Sequence, residues 1–154
     1  MKFILYFFLA FSVIVAACNK DKFQTKPTIR IKSMNTKVIP QNGTWIVTLE
    51  CTDKEGDVQD SVIIVKKRIN RRIVPRLGDT SRHKFPNFPQ IIEIDIIATL
   101  DFQTILSAIN PPNIPGSNPP QKESDTLIVK FAVRDNGGHT SDTISTQQII
   151  VIRQ

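Results

Sequence analysis

Asp125-Thr126-Leu127-Ile128-Val129-Lys130-Phe131-Ala132-Val133-Arg134 decides the fold class of this 154-residue chain. Successive side chains of an extended chain point to opposite faces, so Leu127, Val129, Phe131 and Val133 share one side, with Ile128, Lys130, Ala132 and Arg134 on the other. A period of two with a wholly apolar side predicts a β-strand with one well-buried face. Asp135-Asn136-Gly137-Gly138 follows at once and supplies residues that tolerate positive φ, as a tight hairpin needs. Thr143 to Ile152 then reads as the last strand.

The same period recurs upstream. Trp45, Val47, Leu49 and Cys51 alternate with Ile46, Thr48 and Glu50, while Ile29 and Ile31 alternate with Arg30 and Lys32. Pro40-Gln41-Asn42-Gly43 makes the turn between these two segments. Ser61 to Val65 is a β-branched run that turns basic at Lys66; Ile69, Ile73 and Val74 predict a bend and a short strand before Pro75, and Arg76 to Pro89 a loop. Gln90 to Leu100 puts Ile92, Ile94, Ile96 and Ala98 on one face. Asp101 is placed to cap one or two helical turns over residues 102–109, with Leu106 and Ile109 facing inward. Between Asn110 and Pro120 five prolines remove donors and fix the backbone, which excludes regular structure. About seven strands with turn signals between them and hardly any helix predict an all-β, antiparallel sandwich.

The N-terminus is a different kind of segment. Lys2 precedes 15 uncharged residues, Phe3 to Ala17, and the run ends in Cys18-Asn19-Lys20-Asp21. A membrane-spanning helix needs about 20 apolar residues, so this run is too short. Val15-Ala16-Ala17-Cys18 resembles the lipobox of bacterial lipoprotein signals. That resemblance implies cleavage before Cys18, a thioether-linked diacylglycerol on its sulfur and an acylated new N-terminus, commonly with palmitate. Asn19 after the cysteine resembles the signal for outer-membrane delivery in lipoproteins of Gram-negative type. The expected organisation is a signal peptide over 1–17, a lipidated tether over 18–26 and a sandwich domain over 27–154. Two or three acyl chains, at about 0.8 kcal/mol per buried methylene, hold such a domain on its membrane. Cleavage leaves 19 basic and 14 acidic residues, a net +5. An exported chain does not meet nucleic acid, so anionic envelope components are the matching class of partner.

Leu49-Glu50-Cys51-Thr52-Asp53-Lys54-Glu55-Gly56-Asp57 and Phe131-Ala132-Val133-Arg134-Asp135-Asn136-Gly137-Gly138 resemble strand-and-turn segments of the immunoglobulin-like and cadherin-like domains of bacterial surfaces. With the lipobox, the chain looks like the small lipoproteins common in Bacteroidetes. It departs from the antibody pattern: no second cysteine faces Cys51, the one Trp lies on the second strand, and no Tyr follows Cys18. Cys51 is expected to be a small buried hydrophobe.

In a seven-strand sandwich the turns after the second and sixth strands share a pole, which brings Asp53, Glu55, Asp57 and Asp60 beside Asp135 and Asn136. Ca²⁺ takes six to eight oxygens at about 2.3–2.6 Å, and cadherin-like domains bind it with comparable residues, so this acidic pole is a candidate calcium site. Turn formation alone also accounts for Asp, Asn and Gly here. Lys66, Lys67, Arg68, Arg71 and Arg72 open a basic run continued by Arg76, Arg82 and Lys84, expected at the other pole as a solvated face or a surface for an anionic partner. Phe85 and Phe88 are expected to plug an open end of the sandwich, and His139 to face solvent. His83 and His139 are too few for a metal triad, and no nucleophile motif appears. The reading is a cell-envelope lipoprotein with a non-catalytic binding or structural domain; the alternatives are a calcium-stabilised adhesion module and an accessory subunit of an envelope enzyme or transport complex.

Overall fold

A computed structural model describes residues 25–153; the expected signal peptide and Cys18 lie outside the described residues. The alternating segments form strands wherever one of their faces finds a second sheet to cover it. Among the described residues, nine strands and one helical turn run in the order β1 (Thr28–Met34), β2 (Val38–Ile39), β3 (Thr44–Thr52), β4 (Ser61–Arg68), β5 (Thr80–Lys84), β6 (Glu93–Asp101), α1 (Phe102–Ile105), β7 (Asp125–Arg134), β8 (Ile144–Ser145) and β9 (Ile149–Val151). One sheet has the order β1-β3-β6 and the other β2-β9-β7-β4-β5, with β8 also on β7. All pairings are antiparallel except β2 with β9.

The architecture is a two-sheet β-sandwich of immunoglobulin-type strand order. In the constant-type arrangement a fourth strand flanks the last strand of the first sheet. Here β6 has no such neighbour, because β5 extends the other sheet instead.

The core is the inward side of the alternations. Trp45, Val47, Leu49 and Cys51 from β3 meet Leu127, Val129, Phe131 and Val133 from β7, all eight fully buried. The Trp45 and Phe131 rings stack with centroids 6.3 Å apart, and Trp45 Nε1 donates to the Thr36 carbonyl at 3.1 Å, which satisfies the one polar atom that this ring carries into the core. Pro40 to Gly43 closes the expected turn, with Gly43 N–H donating to Pro40 C=O and Asn42 at φ 59°. Asp101 caps α1 through a 2.7 Å bond from the Thr104 N–H.

Five expectations are corrected. Ile73 is fully exposed rather than part of a short strand, because Asn70, Arg71 and Arg72 break the apolar period. The region expected to be a loop instead holds β5, Thr80-Ser81-Arg82-His83-Lys84, a polar edge strand held by its ladder to β4. Ile92 lies outside β6 and is 65% exposed; the inward face begins at Ile94 and continues through Leu100. The helix ends at Ile105, where Lys66 binds its free carbonyls, and Ile109 turns outward. The last strand is also divided, since Thr146 bonds Val129 through both its N–H and its hydroxyl and offsets β8 from β9.

Candidate functional site

β3 runs toward one end of the sandwich and β4 leaves from it; β7 reaches the same end before its hairpin. This junction brings Asp53, Asp57 and Asp135 together, each offering a carboxylate oxygen within 4.8 Å of the others. Asp53 and Asp135 are buried, and Asp57 is half-buried. The loop is built around them. Asp53 accepts the Asp57 N–H at 3.1 Å and the Glu55 N–H at 3.4 Å, while its carbonyl takes the Gly56 N–H. Gly56 sits at φ 71°, where a side chain would be strained, and packs on the Ile91 backbone.

Across the junction the Asn136 N–H donates to the Asp57 carbonyl at 3.0 Å and the Gly137 N–H to Asp57 Oδ2 at 3.2 Å. Asp135 is held by the His139 N–H at 2.7 Å and by His139 Nδ1 at 3.2 Å. Asp57 Oδ1 is closed off from solvent and has no hydrogen-bond partner among the described residues. Burial pushes the Asp57 carboxyl above its ordinary value, and the neighbouring carboxylates of Asp53, Asp135 and Glu55 push it the same way. Three carboxylates around one point favour either a proton or a cation at that point.

The side chains of the remaining acidic-pole candidates lie apart from this group. Glu55 is exposed, Asp60 accepts from Ser61 Oγ at 3.0 Å and faces Arg134 at 3.9 Å, and the Asn136 side chain donates to Gln59. His139 is exposed as expected, but its ring is anchored on Asp135, a pairing that sequence reasoning missed; the i, i+4 spacing across the hairpin was the available signal.

The basic run is divided by the fold. Arg68 is almost wholly buried and bonds Asp125 at 3.2 Å and Glu123 at 3.0 Å, with Arg153 reaching the other Asp125 oxygen at 2.9 Å. Burial pushes Asp125 upward, but the Ser107 N–H, the Arg153 charge and the Arg68 and Arg153 bonds outweigh it and hold the carboxyl below its ordinary value. Lys66 donates to the Thr104 and Leu106 carbonyls, and burial lowers its ammonium pKa. Lys66 and Arg68 therefore do not belong to an anion-binding surface. Lys67, Arg71 and Arg72 remain exposed at that end, whereas β5 carries Arg82 and Lys84 back to the acidic end, beside Asp60 and Arg134.

Cys51 is a free, buried thiol; burial, and next the Asp53 charge, push its pKa up to about 12, as befits a core residue. Phe85 and Phe88 meet edge to face and pack on the core as a partial plug. No helix among the described residues is long and apolar enough to cross a membrane. No family model, curated protein or solved structure matches this chain.

Proposed function

We propose that this chain is a lipid-anchored protein of the cell envelope whose β-sandwich serves as a non-catalytic binding or structural module. The observation that carries this reading is the lipobox Val15-Ala16-Ala17-Cys18 placed just before a folded domain. Thr28 pairs with Thr52, so β1 starts beside Asp53, and a tether from Cys18 joins the sandwich at its acidic pole. Metabolic labelling with a palmitate analogue tests it: the chain is expected to take up label and sediment with membranes, and Cys18→Ser to lose both. An unlabelled, freely released wild-type chain would refute the anchor.

A second reading is favoured by the convergence of Asp53, Asp57 and Asp135: the acidic pole binds Ca²⁺ and stiffens the junction where the tether meets the domain. Its test is a melting temperature that rises with millimolar Ca²⁺ and stops responding in Asp53→Ala with Asp57→Ala.

A further inference from the structure

One side of the sandwich is open. β6 ends the first sheet and β5 ends the second, and between them lies a groove of about 450 Å³ lined by Val62, Ile64, Phe85, Ile94, Ile96 and Leu100. Natural proteins protect strand edges with lysines, prolines, bulges or very short strands. The opposite side does so: β1 carries Arg30, Lys32 and a bulge between Ile31 and Ser33, and β2 is two residues long. β6 has no lysine, proline or bulge and is guarded by acidic side chains alone; it is nine residues, Glu93-Ile94-Asp95-Ile96-Ile97-Ala98-Thr99-Leu100-Asp101, with Ile97 66% exposed.

The register says which backbone groups the two edges offer. The Asp53 N–H donates to Ile92 C=O, and β3 and β6 pair without a shift, so Ile94, Ile96, Ala98 and Leu100 direct their backbone groups at β3. Those of Glu93, Asp95, Ile97 and Thr99 point to the open edge. On the other lip the Lys66 N–H donates to Asp79 C=O and the Phe85 N–H to Asp60 C=O, which leaves the groups of Thr80, Arg82 and Lys84 facing outward. These same residues also bear the charges. The β6 lip is acidic, with Glu93, Asp95 and Asp101, and the β5 lip is basic, with Arg82 and Lys84.

We propose that this side is an interface with a second copy of the same chain, in which β6 of each copy pairs antiparallel with β5 of the other. β3 and β5 run toward the acidic pole while β4 and β6 run from it, so a two-fold axis along the strands gives the required antiparallel pairing twice. Setting Lys84 opposite Glu93 places Arg82 opposite Asp95 and Thr80 opposite Ile97. In that register the outward backbone groups of Thr80, Arg82 and Lys84 meet those of Ile97, Asp95 and Glu93, and each cation faces an anion on the same outer surface. Asp95 bonds Lys32 through Oδ2 only, which leaves Oδ1 for the Arg82 of the other copy. The two grooves then face each other across the axis and cover the parts of Phe85 and Ile94 that a single chain leaves exposed. The axis also keeps both β1 starts at one end, as two chains anchored in one membrane require, a point that alone rests on the lipid-anchor reading.

The test is the protein mass of the full chain in detergent, measured by light scattering with absorbance and refractive index. The wild type is expected at twice the chain mass. Arg82→Glu with Lys84→Glu sets acid against acid at both contacts, and Glu93→Lys with Asp95→Lys sets base against base; each is expected at the single-chain mass. An equal mixture of the two variants restores opposite charges at both contacts and is expected to return to the doubled mass. A wild type of single-chain mass, variants that stay dimeric alone, or a mixture that stays monomeric would each overturn the proposal.

Discussion

Replacing Asp57 by Asn separates the two states open to the acidic pole, because the amide keeps an oxygen for the Gly137 N–H while removing one of three converging charges. Two unit charges 4.8 Å apart repel by about 3.5 kcal/mol at an effective dielectric constant near 20 and about 0.9 kcal/mol in water. Asp57 is half-buried, and removing it relieves two of the three repulsions while giving Oδ1's position an N–H that a neighbouring carboxylate can accept. Asp57→Asn is therefore expected to stabilise the protein in chelator by about 1–2 kcal/mol, roughly 3–8 °C in melting temperature. With Ca²⁺ at about a hundred times its dissociation constant the wild type gains about 2.7 kcal/mol and the variant little, so the order of stabilities inverts. Acidification checks the same repulsion. The folded Asp57 binds its proton more tightly than the unfolded chain does, so in chelator the wild type gains stability as pH falls from neutral toward about 4, and Asp57→Asn loses that gain. Thermal melts read by circular dichroism in chelator and in calcium measure all of this. A variant less stable than wild type in chelator refutes the repulsion argument, and an order of stabilities unchanged by Ca²⁺ refutes the cation site.

Asp125→Asn leaves the buried Arg68 and the nearly buried Arg153 short of their counter-charge and is expected to cost about 3–5 kcal/mol in denaturant unfolding. Because its folded pKa is lowered, the stability Asp125 contributes is present above about pH 4 and lost as pH falls through the folded value; an unfolding curve for the variant that still shows that loss would contradict the assignment. Cys51 is expected to resist a thiol reagent until the protein unfolds, so rapid native labelling would show that β3 opens. At the far pole, reversing Arg71 and Arg72 is expected to abolish salt-sensitive retention on heparin, whereas Lys66→Gln, which acts on the end of α1, leaves retention unchanged; equal retention of the reversed variant would exclude that surface.

The legible parts of the fold were those in which burial differs sharply between two faces. β3 and β7 declared themselves through Trp45 to Cys51 and Leu127 to Val133, and the pole shared by Asp53, Asp57 and Asp135 followed from the strand order they imply. β5 was invisible because an edge strand with neither face deeply buried carries no apolar period; Thr80 to Lys84 is a strand only because β4 offers it a ladder. The acidic pole was read too broadly for a related reason. A turn has no fixed period to say which carboxylates point together, so Glu55 went outward and Asp60 turned to Ser61 and Arg134.

The basic run shows what that blindness costs in electrostatics. Residues 66–84 look like one patch in sequence, yet Arg68 is spent on Asp125, 57 positions away, and Lys66 on the end of a helical turn. β5 then folds Arg82 and Lys84 back beside the acidic end and opposite the acidic edge of β6. Lys67, Arg71 and Arg72 stay at the far pole and the carboxylate cluster at the near one, but the field also gains two lips of opposite sign on either side of a largely apolar groove. Opposite lips on one chain are complementary to a second copy in a way that two opposite poles, in two chains lying side by side in the same sense, are not.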